Sequence, residues 1–181
     1  MKRLMILFVF TALTAPAQQT RHTVTHHAAN PADDTRANNA AVPDVQALSS
    51  QVHRVVLLRF KYDIDLLAGL QQAVRDQKIR NAVILSGMGS VRGYQVHQVG
   101  NRDLPPEDIF TQNPTAPADI IGMSGLVLHG RVHPHIVLAN PDHAFGGHLE
   151  PGTRVFTFAI VTLGILDDSL DLTRFDDWNN R

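Results

Sequence analysis

The chain contains no cysteine. That excludes a disulfide framework, a thiolate metal site, a cysteine nucleophile and a lipid-modified cysteine near the N-terminus. Charge is scarce too, at 18% of residues, below the roughly 25% usual for soluble domains. The 16 basic and 17 acidic residues nearly cancel, so no excess of positive charge draws in nucleic acid. Glycine and proline, 12 and 10 residues, are at ordinary levels, which argues against collagen and wholesale disorder. No run approaches the ~20 apolar residues of a membrane span. What the chain does have is histidine, ten in all.

The first seventeen residues read as an export signal. Lys2 and Arg3 start it, Leu4 to Leu13 form an apolar run broken only by Thr11, and Ala15-Pro16-Ala17 supplies small residues for cleavage. This three-part pattern is that of a secretory signal peptide, with an apolar stretch too short for a stable anchor. Cleavage leaves 14 basic against 17 acidic residues, a mature charge near −3. The expected location is periplasmic or extracellular. Residues 18–50 read as a flexible linker, rich in Ala, Asn, Thr, Asp and Gln and without helix or strand periodicity. His22, His26 and His27 fall there and are expected to be solvated.

One domain is expected over residues 51–172, followed by a C-terminal tail at 173–181. Residues 52–60 read as a strand centred on Val55 to Leu58. Leu66, Leu67, Leu70 and Val74 recur at helical spacing, with Asp63 or Asp65 as the cap and Lys78 near the end. The apolar run Ala82 to Leu85 and the alternating stretch Val91 to Val99 predict two strands. Residues 101–119 hold four prolines and read as a long loop. Residues 120–128, 132–139 and 154–163 are strand-like. One main helix and mostly consecutive strands predict an α+β fold with a largely antiparallel or mixed sheet.

Gly87-Met88-Gly89-Ser90-Val91-Arg92-Gly93 follows a strand and invites a dinucleotide-binding reading. Its third glycine comes one residue late, and the next segment alternates like a strand. Without a helix N-terminus there is no dipole and no set of free amides for a pyrophosphate. No nucleotide site is expected, and the glycines are expected to serve a tight strand-to-strand turn.

Half of the histidines lie between residues 126 and 152: His129, His133, His135, His143 and His148. His133 and His135 are two apart, so an extended chain points both to one face, with Cα atoms about 6.6 Å apart. Pro134 fixes its own φ and pushes His133 towards an extended conformation, so the pair is ordered before a ligand arrives. Two nitrogens bonded at about 2.05 Å to a tetrahedral zinc lie about 3.3 Å apart, so the rings need only lean together. His148 is the best third ligand. Asn140-Pro141-Asp142 signals a turn that brings the chain back, and Gly146-Gly147 removes side-chain bulk near the site. Three imidazoles and a water make an open zinc site. His129 shares the parity of the pair but sits beside Gly130, which makes it a reserve ligand or an outer group. His143 is expected to face solvent from the turn.

Three stretches together resemble the PPC domain, the "plants and prokaryotes conserved" domain of plant AT-hook proteins and their stand-alone prokaryotic relatives. They are Asn81 to Val91, Gly130-Arg131-Val132-His133-Pro134-His135, and Gly146-Gly147-His148-Leu149-Glu150-Pro151-Gly152. The resemblance covers roughly 52–166. It implies a curved, largely antiparallel sheet, a homotrimer, and a zinc ion presented to His133, His135 and His148. The chain departs from the plant pattern in lacking an Arg-Gly-Arg-Pro hook and in carrying an export signal. It also lacks the glutamate that relatives often have in the last core strand, here Phe156 to Leu163.

The function expected on these grounds is zinc binding in a ligand-binding or scaffold role, with another divalent transition metal as the alternative ion. A metal-dependent hydrolase or lyase using zinc-bound water is the alternative, with His129, Asp142 and Glu150 as nearby proton acceptors, Glu150 only two residues past His148. DNA binding is disfavoured by a charge near −3 and the lack of a Lys/Arg cluster.

Overall fold

The structure is a computed structural model, described here for residues 19–26, 35 and 39–177. The expected export signal at 1–17, His27 and residues 178–181 lie outside the described residues. Among the described residues one helix and eight strands follow in the order β1 (Arg21–His26), β2 (Arg54–Lys61), α1 (Leu66–Asp76), β3 (Ala82–Val99), β4 (Glu107–Asn113), β5 (Ala118–Leu128), β6 (Arg131–Ala139), β7 (Ala144–Leu149) and β8 (Arg154–Ile165). This is the α+β class with a single sheet, and every strand pairing is antiparallel.

Helix α1 forms where its apolar spacing predicts. Asp65 is the N-cap, in extended backbone, and its side chain accepts from the Ala68 N–H at 3.0 Å. Leu66, Leu70 and Val74 fall on one stripe and are fully buried. They belong to a core shared with alternate residues of the sheet, among them Val91, Ile136 and Val161. Among the described residues no helix is long and apolar enough to cross a membrane.

Strand β3 organises the sheet. Its first half lies between β5 and β8, and its second half between β4 and β7. Because β5 pairs β6, β6 pairs β7 and β7 returns to β3, these four strands form a closed circuit. The closing contact is short: Val96 opposite Leu149, and His97 opposite His148.

Three expectations are corrected. The glycines at 87–93 make no turn, since β3 runs through them as one 18-residue strand with register shifts against β8. Gly89 has φ +136°, and a Cβ there would meet the Phe158 carbonyl oxygen at 2.2 Å. The glycines thus allow bulges and a close neighbouring backbone, a use equally compatible with a long bent strand. Residues 101–119 are not all loop, because β4 occupies 107–113 between β1 and β3. Within the stretch read as a linker, Arg21–His26 is a strand paired with β4 along six residues. All six are exposed, so no hydrophobic alternation marked them. Thr23, Val24 and Thr25 suit an extended backbone, and the β4 ladder supplies the rest. His22 and His26 are exposed there, the former with Nδ1 3.1 Å from Thr111 Oγ1.

Candidate metal centre

Strand β6 carries His133 and His135 to the same side, and Pro134 lies one residue beyond the β6–β7 ladder, an edge position of the kind proline tolerates. The strand turns into β7 through Asn140, whose side-chain oxygen accepts from the N–H groups of Asp142 and His143, both at 3.0 Å. His143 is exposed in this turn. The tight hairpin fixes the register that sets His148 of β7 opposite His135 of β6. Strand β7 must also reach β3, and Gly147 permits it. A Cβ on Gly147 would lie 2.2 Å from the His97 carbonyl oxygen.

Four imidazoles therefore gather at the place where β3, β6 and β7 meet. The rings of His133 and His135 stack with centroids 5.3 Å apart, and their Nε2 atoms are 3.2 Å apart. His148 presents its ring edge-on to both, at 4.9 Å from His133 and 5.6 Å from His135. His97 stacks on His148 at 4.7 Å and packs with a tilt against its other neighbour, Phe110 of β4, at 4.9 Å.

Carboxylates hold the far sides of three rings. Glu150 Oε1 lies 2.7 Å from His97 Nδ1 and 2.8 Å from His148 Nδ1. Asp176 Oδ2 lies 2.8 Å from His133 Nδ1 and 2.6 Å from an Arg131 guanidinium nitrogen. Each ring thus donates through Nδ1–H, which leaves Nε2 as its lone-pair atom. With Nε2 of His133 an acceptor, the 3.2 Å contact has His135 donating to it, and for His135 Nε2 to ligate a metal that proton would have to leave it. Burial opposes charge on Glu150, but its hydrogen bonds from His148 and His97 outweigh this and hold the carboxyl below its usual range. Asp176 is held low in the same way: burial acts against it, and the His133 hydrogen bond with the charges of His133 and Arg131 prevails. His135 is depressed, first by burial and then by its histidine neighbours. A neutral imidazole is the form that ligates.

His97, His148 and Glu150 offer one ligand atom each within 4.8 Å of one another, a cluster that could hold a metal ion. The 2.7 and 2.8 Å separations are hydrogen-bond distances, which suits Glu150 to orienting the rings and their Nε2 atoms to ligation. The pair His133 and His135 also fits a tetrahedral ion, since 3.2 Å between Nε2 atoms is close to the ~3.3 Å that two bonded nitrogens require. All four histidines and Asp176 line a cavity of about 470 Å³, but Glu150 does not. Val99 and Pro106 add an apolar wall, so the segment before β4 borders the site.

His129 takes no part in this cluster. It occupies the β5–β6 turn with φ +50°, and its Nε2 accepts from the Leu172 N–H at 3.3 Å. The parity expected from an unbroken strand is lost at that turn, where Gly130 also has positive φ. His97 and Asp176 carry no local sequence signal that marks them for the site. His97 alternates with buried Val96 in β3, but only the pairing with β7 sets it beside another histidine. Asp176 lies in the segment read as a tail, and no spacing signal ties it to His133.

A curated relative, the bifunctional protein GlmU of Synechococcus sp. (strain JA-3-3Ab), is 28% identical over 137 residues, 75% of this chain and 20% of that protein. The chain thus spans about a fifth of that relative's length. A hypothetical protein from Salmonella enterica has a similar fold, with TM-score 0.55 and 23% identity over 67% of this chain and 81% of that one. A metal-containing protein from Archaeoglobus fulgidus matches with TM-score 0.53 and 22% identity, covering 67% and 86% of the two chains. The Plants and Prokaryotes Conserved (PCC) domain matches residues 47–167, and the chain belongs to that family.

Proposed function

We propose that this is an exported PCC-domain protein that holds zinc, or another divalent transition metal, through the Nε2 atoms of His133, His135 and His148. Its role is ligand binding or scaffolding, and it acts as a homotrimer in the periplasm or outside the cell. The observation that carries the metal reading is the 3.2 Å approach of the His133 and His135 Nε2 atoms, with the His133 and His148 rings already oriented by carboxylates. Glu150 and Asp176 are the outer carboxylates that metal-bound imidazoles commonly require. The metal-containing Archaeoglobus fulgidus protein of similar fold supports the same reading. Export is supported by the basic, apolar and small-residue sequence of the first seventeen residues. Self-association is supported by exposed apolar side chains on several strands of the sheet, including Leu57 at 71%, Met88 at 58% and Phe156 at 46% exposure.

Elemental analysis of the untagged protein tests the metal. About one zinc per chain is expected, with loss in His133→Ala and His148→Ala and retention in a variant of exposed His143, His143→Ala. Absence of metal from the native protein refutes the reading, and so does equal loading of all variants. Light scattering tests the trimer, and a monomer at micromolar concentration refutes it.

A second reading, a metal-dependent hydrolase or lyase, is favoured by one observation. The cavity lined by His133, His135 and His148 also has His97 on its wall, and an ion held by three protein ligands would keep a fourth position for water. A zinc-bound water has its pKa lowered to about 7, and His97 could accept its proton. Turnover of ester, phosphoester or lactone substrates that vanishes on chelation and in His97→Ala would establish this reading. Chelator-insensitive turnover would refute it.

A further inference from the structure

The family match ends at residue 167, yet the site continues beyond it. After β8 the chain turns back along the sheet and is fastened at successive points. Asn81, fully buried, donates its side-chain N–H groups to the carbonyls of Asp167 and Leu170, both at 3.0 Å. The same amide oxygen accepts from the His129 N–H at 3.2 Å, and the His129 ring in turn accepts from Leu172. Leu172 is buried, and the Phe175 N–H donates to its carbonyl at 3.1 Å. This path delivers Asp176 to His133 and Arg131.

We propose that Asp176, supplied by a segment outside the family match, is the positioning residue that makes His133 an Nε2 ligand, and that metal occupancy and docking of residues 171–177 are coupled. The inference rests on the metal reading above. A neutral imidazole has two tautomers, and only the one with hydrogen on Nδ1 offers Nε2 to an ion. The Asp176 carboxylate selects it by accepting from Nδ1–H at 2.8 Å, and Arg131 holds that carboxylate in place. Removing such an outer partner typically weakens metal affinity about 10–100-fold. Coupling is reciprocal: if a docked Asp176 tightens zinc binding by some factor, zinc tightens docking by the same factor.

Three measurements on the full chain test this. Zinc titration against a competing chelator should show Asp176→Ala weakened about 10–100-fold, with Asp176→Glu recovering part of the loss. Long-range proton–nitrogen NMR of the metal-free protein should show His133 protonated at Nδ1 in the wild type and mixed tautomers in Asp176→Ala, a signature that general loss of stability would not produce. Hydrogen exchange of the wild type should show amides in 171–177 slowed when zinc is added. Should Asp176→Ala fail to fold, the exchange measurement decides alone. Wild-type zinc binding matched by the variant within twofold, an unchanged His133 tautomer, or no zinc effect on exchange overturns the inference and leaves the metal reading standing. No zinc binding by the wild type overturns both.

Discussion

Replacing Gly147 with alanine should open the contact between β7 and β3. The added Cβ would sit 2.2 Å from the His97 carbonyl oxygen, 3.0 Å from its carbon and 2.9 Å from Gln98 Cγ. Gln98 can swing away, but the two backbone atoms cannot move unless β3 and β7 separate. An ordinary carbon–oxygen contact is about 3.3 Å, so the strands must part by roughly 1 Å. Overpacking of this kind costs about 1–3 kcal/mol, which for a domain of this size lowers the melting temperature by roughly 3–6 °C per kcal/mol. The distinctive consequence is local. The separation falls on the pair His97 and His148, whose rings share the Glu150 oxygen. On the proposed metal reading, zinc affinity should fall further than in a variant of equal melting temperature altered elsewhere in the core. The assay is thermal melting with a chelator-competition titration on the same samples. An unchanged melting temperature and unchanged zinc affinity would refute the steric argument.

Two predictions concern the rest of the fold. Asp65 caps α1 and also accepts from the Gly152 N–H at 2.6 Å, so Asp65→Ala should cost about 1–2 kcal/mol, read from denaturant unfolding; a change below 0.3 kcal/mol would contradict the capping role. Asp63 is held below its usual value of 3.8, first by the hydrogen bond from Arg154, which outweighs an opposing desolvation, and then by the charges of Arg154 and Arg92. A folded value below the unfolded one contributes stability above about pH 4 that is lost as pH falls through the folded value. Asn tolerates the positive φ of 64° at this position, so the melting-temperature gap between wild type and Asp63→Asn should be constant above about pH 5 and close on acidification. A gap undiminished at pH 2 would contradict the linkage.

Local rules in the sequence account for much of the architecture. The spacing of Leu66, Leu70 and Val74 with an aspartate before them predicts α1, and a period of two puts His133 and His135 on one side of β6. What was missed depends on which strands are neighbours. His97 and His148 are 51 positions apart and meet only because the sheet closes on itself, and nothing in either flank specifies that closure. The continuity of β3 was hidden because its glycines accommodate bulges, a use that looks like a turn in one dimension. Strand β1 carries no apolar alternation because it buries no side chain. Asp176 reaches His133 through buried Asn81, whose side-chain N–H groups donate to carbonyls more than 80 residues away.

Strand β1 has a consequence for the solution behaviour of the protein. It occupies the outer backbone groups of β4, which would otherwise be an open template for cross-molecular β pairing and aggregation. If residues 1–17 are removed on export, the mature chain starts at Gln18, three residues before this protective strand. An affinity tag fused at that end would sit beside the shielded margin of the sheet, and a truncation past His26 would bare it.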